Sequence, residues 1–419
     1  MYTLNSLSVS QNPASRTEKN PTLPFPSIPV LFYLPASYTF VTPPENLLLM
    51  YHKPCSLYWK LLFLTLCSTA VILTVHEILS RSDASADPYN GDSAIEVAAG
   101  VNGNYIKWVD FTVSYDALCT AYELDVASHE SAHPLNWIEL LAYTAARTGG
   151  RFDKKSLSIL NKLGKELSDG SVTLKELTRE MDYYDYYLEA YEAVLGGMVG
   201  EYEMETEAED GTRSFETRYG LKAFSPIARG FDYSDYDDFG SSRSYGYKRP
   251  HLGHDMMGQI GTPIIAVESG YVEALGWNQY GGWRIGIRSF DKKRYYYYAH
   301  LRQNFPYALD LKEGSVVTAG DVIGYMGHTG YSAKEDVNNI ETVHLHFGLQ
   351  LIFDESQKEG NNEIWIDCYD LTRFLYKNRS LTEKNAETRE WFRTFHMKDP
   401  SVSSYLQLNP DAPVLNNGN

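Results

Sequence analysis

The second half of the chain carries short apolar runs that alternate with Gly, Pro and Asp. The pattern begins near Phe224 and includes Thr262–Val267, Trp283–Ile287, Arg294–Ala299 and Val322–Gly324. Many short strands joined by tight turns are typical of a mostly antiparallel β sandwich or barrel. We therefore expect residues 221–355 to form a domain of this kind.

Helical spacing dominates the segment 104–202. Apolar residues recur three and four positions apart around Leu135–Tyr143, and the pair Gly149-Gly150 predicts the end of that helix. Thr173 and Glu176 have the spacing of a capping box, which predicts a further helix running to Tyr191. We interpret this segment as a small helical domain.

The remaining segments are assigned from composition and spacing. Residues 203–220 are polar and acidic and are predicted to be a linker, residues 356–399 return to helix-like spacing, and residues 400–419 are predicted to be a flexible tail. The predicted fold class is therefore α+β with several domains: a helical domain, a mostly antiparallel β sandwich or barrel domain and C-terminal helices.

An uncharged apolar run, Leu61 to Val75, follows Lys53 and Lys60. A basic stretch before an apolar one is typical of a signal peptide or signal anchor. We predict a single-pass membrane segment at 58–79, a linker at 80–103, and the rest of the protein on the outer side of the cell membrane. If the segment is cleaved as a signal peptide, the protein is instead secreted. Residues 1–49 precede this segment and are predicted to be disordered or an over-extended reading frame, with Met50 as the natural start.

The formal net charge of −17 argues against nucleic acid as a partner, because such a protein needs a basic face to neutralise phosphates. The four cysteines include no C-x-x-C pair, so a cysteine zinc site is not expected.

Histidines cluster in the strand-rich region. In a strand, His344 and His346 point to one face while Leu345 and Phe347 point to the other. Two imidazoles on one face make a rigid base for a metal site, although a pair of exposed histidines has the same pattern.

His251 and Asp255 add a nitrogen and a carboxylate, and zinc accepts both. Their spacing differs from the usual His–carboxylate spacing of iron oxygenases with a similar ligand set. His254 competes with His251 for the ligand role.

These motifs resemble the lysostaphin-like (LytM-like) zinc metallopeptidases. The His-x-x-x-Asp of His251 and Asp255, the Tyr-x-His-Leu that contains His300, and the His-x-His of His344 and His346 occur in the family's order. The resemblance covers Phe224 to about Leu351, and it implies the duplicated hybrid motif fold.

The resemblance also implies a function and a site. His251, Asp255 and His346 would hold one Zn2+ per chain, His344 would be a catalytic histidine, and His300 would be its partner. The substrate would be the peptide part of bacterial peptidoglycan, which would be cleaved by metal-activated water. One neutral histidine would take the proton of the water and a second, protonated one would stabilise the oxyanion or donate to the leaving amine.

The sequence departs from the family pattern at one segment, and one alternative function stays open. The segment 331–343 is longer than is usual in the family, and we expect it to lie near the cleft entrance and to shape or restrict substrate access. Some relatives of this fold lack activity and act as membrane-anchored scaffolds in division or sporulation. The helical domain is a candidate surface for a protein partner.

Overall fold

The computed structural model describes residues 105–244, 248–358, 360 and 362–416. Five helices come first, in the region predicted to be helical. Their bounds are α1 Tyr115–Ser128, α2 Trp137–Thr148, α3 Lys154–Ser168, α4 Leu174–Thr178 and α5 Tyr184–Leu195.

Local sequence signals set most of these helix ends. Gly149 ends α2 with a left-handed φ of 63°, as predicted. The capping box of Thr173 and Glu176 is present, but α4 ends at Thr178 rather than continuing to Tyr191. Tyr183, with a φ of 64°, interrupts the helical conformation between α4 and α5. A residue in the left-handed region cannot continue a right-handed helix, so one predicted helix became two.

The predicted linker at 203–220 is wrong, because this segment is a β-hairpin. Strands β1 (Val199–Glu207) and β2 (Arg213–Leu221) pair along their whole length. Most side chains of β2 are exposed, and charged residues occupy many positions on both strands. A hairpin with so little buried surface keeps a polar composition, which is why it resembled a linker.

The β region contains twelve further strands before the last helices. They are β3 Ser234–Asp235, β4 Ser242–Ser244, β5 Lys248–Pro250, β6 His254–Met257, β7 Pro263–Ile265, β8 Gly270–Asn278, β9 Gly282–Ser289, β10 Arg294–Ala299, β11 Val316–Val317, β12 Val322–Tyr325, β13 His344–Leu351 and β14 Ile364–Ile366. A 3-10 helix, Glu355–Gln357, lies between the last two.

These strands are antiparallel, as predicted. The main sheet has the order β11-β8-β9-β10-β13-β6-β3, with β14 also paired to β13. Its path ends at β11 and β3, so the described strands do not close into a barrel. Strands β7 and β12 form a separate pair whose Ile264 and Ile323 share a buried core with Ile285 of the main sheet.

The main sheet has one apolar and one polar face. On β13, Leu345 and Phe347 are fully buried in the core, and His344 and His346 line a cleft on the other side. This alternation is the one predicted from the sequence. The apolar face fixes the register of β13, because a slip of one residue would move the histidines into the apolar core and Leu345 and Phe347 into the cleft.

The C-terminal region differs from the prediction at 356–399. Besides β14 it contains α6 (Tyr369–Leu375) and three short strands, β15 (Thr382–Lys384), β16 (Trp391–Arg393) and β17 (Met397–Lys398). Only α6 is a helix of the predicted kind. Strand β16 folds back on β15 as a short local hairpin. Strand β17 instead pairs with the distant β1, which depends on tertiary contact.

The predicted flexible tail at 400–419 also needs correction. Residues Pro400–Leu408 form α7, whose first turn is capped by Asp399. Val414 then forms a bridge with Val316, and Leu415 is buried. Asp399 is buried too, and its carboxylate binds Lys222 and Ser269. This anchor holds the start of α7 against the rest of the protein.

Helical and β regions share one core rather than forming separate domains. All described residues belong to one compact unit. The buried guanidinium of Arg294 on β10 donates to the carbonyl oxygen of Ala193 at the end of α5 and pairs with Glu268. Because a buried charge needs its partners, this contact ties the helices firmly to the sheet.

Within the described part of the chain, no helix has the length and apolar character needed to cross a bilayer. The predicted membrane segment at 58–79 lies outside the described residues, as do the predicted extension at 1–49 and the linker at 80–103.

Candidate metal centre and cleft

Three predicted ligands converge at the floor of the cleft. Nε2 of His251 lies 3.0 Å from Oδ1 of Asp255 and 3.1 Å from Nδ1 of His346. The last two atoms are 2.9 Å apart. Among the described residues these form the group whose ligand atoms could hold one metal ion.

The sheet register and one glycine bring the three side chains together. His346 on β13 lies directly opposite Asp255 on β6. His251 follows β5 and reaches the same point over a turn at Gly253. A Cβ atom at Gly253 would lie 2.6 Å from the His346 ring and 2.7 Å from the carbonyl oxygen of Phe347. Only glycine lets the turn pass this close to the strand.

The donor set fits zinc. Two imidazole nitrogens and one carboxylate oxygen are ligand types that zinc accepts, with bonds of about 2.0–2.2 Å. Atoms 2.9–3.1 Å apart can all be bound at such distances by a single ion. Three protein ligands leave a fourth position open, which is the arrangement of catalytic rather than structural zinc sites.

Asp255 is held as a carboxylate. Burial by itself raises the pKa of this carboxyl, but contacts with His251, His346 and His344 hold it far below its usual value. Its second oxygen, Oδ2, accepts a hydrogen bond from Arg243 at 3.2 Å. One oxygen of Asp255 therefore faces the histidines while the guanidinium occupies the other.

Sequence reasoning missed Asp238 and Arg243. Oδ1 of Asp238 accepts a hydrogen bond from Nδ1 of His251 at 3.0 Å, and Arg243 binds both Asp238 and Asp255. A carboxylate on the outer nitrogen of a ligand histidine fixes the tautomer and the ring orientation. Asp238 stands in a stretch rich in Asp and Tyr, where no spacing distinguishes it from its neighbours.

His300 and His344 lie beside this group. Their ring centroids are 4.7 Å apart, and Nε2 of His344 is 3.7 Å from Oδ1 of Asp255. His300 sits just after β10 with a left-handed φ of 62°. Its backbone N–H donates to Gly281, and its carbonyl oxygen accepts from Gly327. These bonds hold a conformation that is uncommon for residues other than glycine.

Both histidines are oriented through Nδ1. This atom lies 3.0 Å from the carbonyl oxygen of Thr329 in His300 and 2.8 Å from that of Thr342 in His344. A carbonyl oxygen can only accept, so Nδ1 carries the proton and Nε2 keeps its lone pair in the neutral form. Burial lowers the pKa of each ring, and for His300 the neighbouring histidines lower it further. Both rings therefore favour the neutral state.

The competitor His254 is not part of the metal group. It lies on the opposite side of β6 from Asp255, buried, with Nδ1 2.7 Å from the hydroxyl of Thr372 on α6. Strand alternation decides the question, because neighbouring residues of β6 face opposite ways.

The cleft extends well beyond the metal group, with a volume of about 1400 Å³. Residues 339–342 of the predicted long loop line it, as expected from the sequence. The first part of this loop is fixed elsewhere: Asp336 accepts hydrogen bonds from Nε1 of Trp283 at 2.7 Å and from the backbone of Asn304 at 2.8 Å. The loop is thus anchored as one wall of the cleft.

Part of this chain is similar to known proteins. Residues 249–360 match the model of Peptidase family M23. The L-Ala–D-Glu endopeptidase of Bacillus subtilis (strain 168) is 38% identical over 130 residues, which cover 31% of this chain and 38% of that protein. Lysostaphin of Staphylococcus simulans is 38% identical over 98 residues, which cover 23% of this chain and 17% of lysostaphin. The matches thus span well under two thirds of either relative.

Solved structures are also similar to parts of this chain. The lytM protein of Ruminococcus gnavus is 26% identical with a TM-score of 0.41, covering 66% of this chain and 92% of that one. The catalytic domain of Staphylococcus simulans lysostaphin is 32% identical with a TM-score of 0.25, covering 30% of this chain and 85% of that one.

Residues 249–360 thus form a peptidase domain. The chain contains a domain of peptidase family M23, homologous to the L-Ala–D-Glu endopeptidase and to lysostaphin.

Proposed function

We propose that this protein is a zinc-dependent endopeptidase that hydrolyses peptide bonds of bacterial peptidoglycan. The observation that carries the proposal is the triangle of His251, Asp255 and His346 ligand atoms, 2.9–3.1 Å apart, beside two buried histidines in an open cleft. The M23 domain supports a hydrolase, and the similarity to the L-Ala–D-Glu endopeptidase of Bacillus subtilis supports this bond type.

His251, Asp255 and His346 would hold the zinc. When bound, zinc supplies a Lewis acid that polarises the scissile carbonyl and makes water a stronger acid. Asp238 and Arg243 keep the His251 ring and the Asp255 carboxylate in place for this task. The five side chains act as one assembly, since each is bound to at least one of the others.

We assign proton transfer to Nε2 of His344. Its neutral ring is held through Nδ1 by Thr342, so Nε2 is the basic atom, and it lies on the same side of β13 as His346. A base placed in this way contributes roughly 100- to 10,000-fold to a rate. His300 is likewise held through Nδ1, by the carbonyl oxygen of Thr329, and burial favours its neutral form. It can therefore donate a hydrogen bond through Nε2 only after this atom has taken up a proton.

The cleft floor suits an extended peptide. Tyr297 on β10 and Trp365 on β14 meet edge to face, with ring centroids 6.1 Å apart, and both line the cleft beyond His346. Gly348 lies beside them on β13, and a Cβ atom there would lie 2.7 Å from the Trp365 ring. The absence of a side chain at Gly348 therefore leaves room for the Trp365 ring to pack against β13.

We further propose that the reaction takes place outside the cytoplasmic membrane, where peptidoglycan lies, with the segment 58–79 as anchor. We also propose that the helical region binds a protein partner. Protease treatment of intact cells tests the first: digestion of the 105–416 region without lysis supports it, and protection contradicts it.

The experiment that tests the function measures zinc content and cleavage of purified peptidoglycan by the full chain. We expect about one zinc per chain, loss of cleavage with a chelator, and recovery when zinc is added back. His346→Ala should lose the zinc, whereas His344→Ala should keep it and lose cleavage at least about 100-fold.

His133→Ala is the control, because this histidine is exposed in the helical region. It should retain zinc and cleavage. Stoichiometric zinc without cleavage, or full cleavage by His344→Ala, would contradict the proposal, and absence of both zinc and cleavage would favour a scaffold.

A further inference from the structure

Arg284 stands in the same cross-strand row as the metal group. Ile285 on β9 pairs with Tyr298 on β10, so the next residues along, Arg284 and Ala299, face each other. Ala299 in turn pairs with His346 on β13. Strands lie about 4.8 Å apart, which places Arg284 about 10 Å from His346 between Cα atoms. The side chain between them is a single methyl group, so the space above it stays open.

The guanidinium of Arg284 lines the cleft and is half-buried. It makes no hydrogen bond or ion pair with any residue that the structure describes. Arg288 lies four residues further along β9 and is bound to Glu273 and Glu355. Arg294 on β10 is bound to Glu268. In a chain with a net charge of −17, carboxylates are plentiful. Arg284 therefore differs from Arg288 and Arg294, because no described carboxylate forms an ion pair with it.

Arg249 brings a second positive charge to the same part of the cleft. Its Nη2 donates to the hydroxyl of Tyr331 at 2.8 Å, and its guanidinium lies 5.4 Å from the ring centroid of Tyr280. Burial raises the pKa of Tyr297 to about 12, and the charges of Arg284 and Arg249 both oppose this rise. Arg284, Arg249 and Tyr297 all line the same cleft.

No described carboxylate binds either guanidinium. A half-buried charge without a partner is unfavourable, and a guanidinium binds carboxylates in a planar, two-point geometry. Glu341 and Glu363 also line the cleft, but neither forms an ion pair with Arg284 or Arg249. These two guanidinium groups could therefore bind a carboxylate group of a ligand in the cleft.

We propose that Arg284, assisted by Arg249, selects substrates that carry a free carboxylate close to the scissile bond. This inference rests on the proposed function. The Cα atom of Arg284 lies about 10 Å from that of the predicted ligand His346, and a peptide advances about 3.3–3.6 Å per extended residue. The carboxylate that Arg284 selects therefore lies within a few residues of the bond that is cut. An acidic stem peptide satisfies this requirement, whereas a bridge made only of glycine has no side-chain carboxylate to offer.

The test compares two peptides on the full-length, zinc-loaded His344→Ala variant, which binds without cleaving. One is acetyl-L-Ala-γ-D-Glu-L-Lys amide, whose glutamate keeps a free carboxylate. The other has this carboxylate replaced by a carboxamide, so the pair differs in one charge. Calorimetry should show the carboxylate peptide binding at least about tenfold more tightly.

Adding Arg284→Gln should reduce this ratio to about one, and Arg284→Lys should restore part of it. Lys358→Gln is the matched control, since Lys358 also lines the cleft but is already bound to Glu273 at 3.1 Å. It should leave the ratio unchanged. Thermal unfolding of each variant confirms that the fold is retained.

Equal binding of the two peptides, binding of neither, or a ratio that survives Arg284→Gln overturns the subsite. These outcomes are separate from a failure of the proposed function, which shows as absence of zinc or of peptidoglycan cleavage in the unmodified protein.

Discussion

The carboxylate of Asp238 accepts a hydrogen bond from Nδ1 of His251 at 3.0 Å, on the side of the ring away from the metal group. Nδ1 therefore carries the proton, and Nε2 is free to bind a cation next to Asp255 and His346. Arg243 then joins Asp238 to Asp255. The orientation of one ligand and the charge of another thus depend on a residue pair that does not itself bind the metal.

Removing Asp238 should weaken zinc binding. We expect Asp238→Ala to lower zinc affinity by about 10- to 100-fold, the usual effect of losing a group that orients a ligand. Competition with a chromophoric chelator measures it. Asp237→Ala is the control, because Asp237 is exposed next in sequence. Equal affinities for the two variants would show that Asp238 has no orienting role.

Gly253→Ala should disturb the metal group without changing a ligand. The added methyl would meet the His346 ring at 2.6 Å and the Phe347 carbonyl oxygen at 2.7 Å, and the backbone atom cannot move away easily. We expect at least about a tenfold loss of zinc affinity and a loss of about 1–3 kcal/mol of stability. Zinc competition and urea unfolding measure the two effects.

Gly200→Ala serves as the comparison for Gly253→Ala, since a Cβ atom there meets nothing closer than Lys222 at 3.7 Å. It should change neither quantity appreciably. A similar zinc affinity for both variants would mean that the turn tolerates a side chain.

Asp399 should make stability depend on pH in acid. Burial raises the pKa of its carboxyl, but Lys222, Ser269 and the backbone of Ser401 hold it below its usual value. The stabilisation is therefore complete above about pH 4 and is lost as pH falls through the lowered pKa. Asp399→Asn should cost about 3 kcal/mol at pH 7, because Lys222 is left buried without its partner.

Urea unfolding across pH measures this effect, and the difference between Asp399→Asn and the unmodified protein should shrink below about pH 4. Glu203→Gln breaks an exposed pair with Lys398, so it should cost under about 1 kcal/mol. A constant difference across the whole pH range would contradict the assignment.

Asp336 should control the mobility of the loop 331–343. Its carboxylate accepts from Trp283 and Asn304, and its φ of 60° lies in the left-handed region. Both hydrogen bonds end on Oδ1 of Asp336. Asp336→Ala removes this acceptor and adds backbone strain, whereas Asp336→Asn keeps an acceptor and tolerates this φ. We expect faster amide hydrogen exchange at 331–338 in the alanine variant and little change in the asparagine variant. Equal exchange in both would show that the loop is held by other contacts.

Local periodicity determined several features of this protein. The two-residue repeat placed His344 and His346 on one strand face with Leu345 and Phe347 in the core, and the spacing of Thr173 and Glu176 predicted a capping box. These signals succeed because neighbouring residues and the backbone alone decide which way a side chain points. The motif order then allowed all five predicted site residues to be chosen, and the structure brings them together.

Tertiary structure alone decided the rest. The segment 203–220 pairs as a hairpin, and α7 is docked by the bond between Asp399 and Lys222, which lie 177 positions apart in sequence. Asp238 and Arg243 likewise gain their roles only when the fold brings them to His251 and Asp255. Partners so distant leave no periodic trace in the sequence, because their pairing depends on how the whole chain closes around its core.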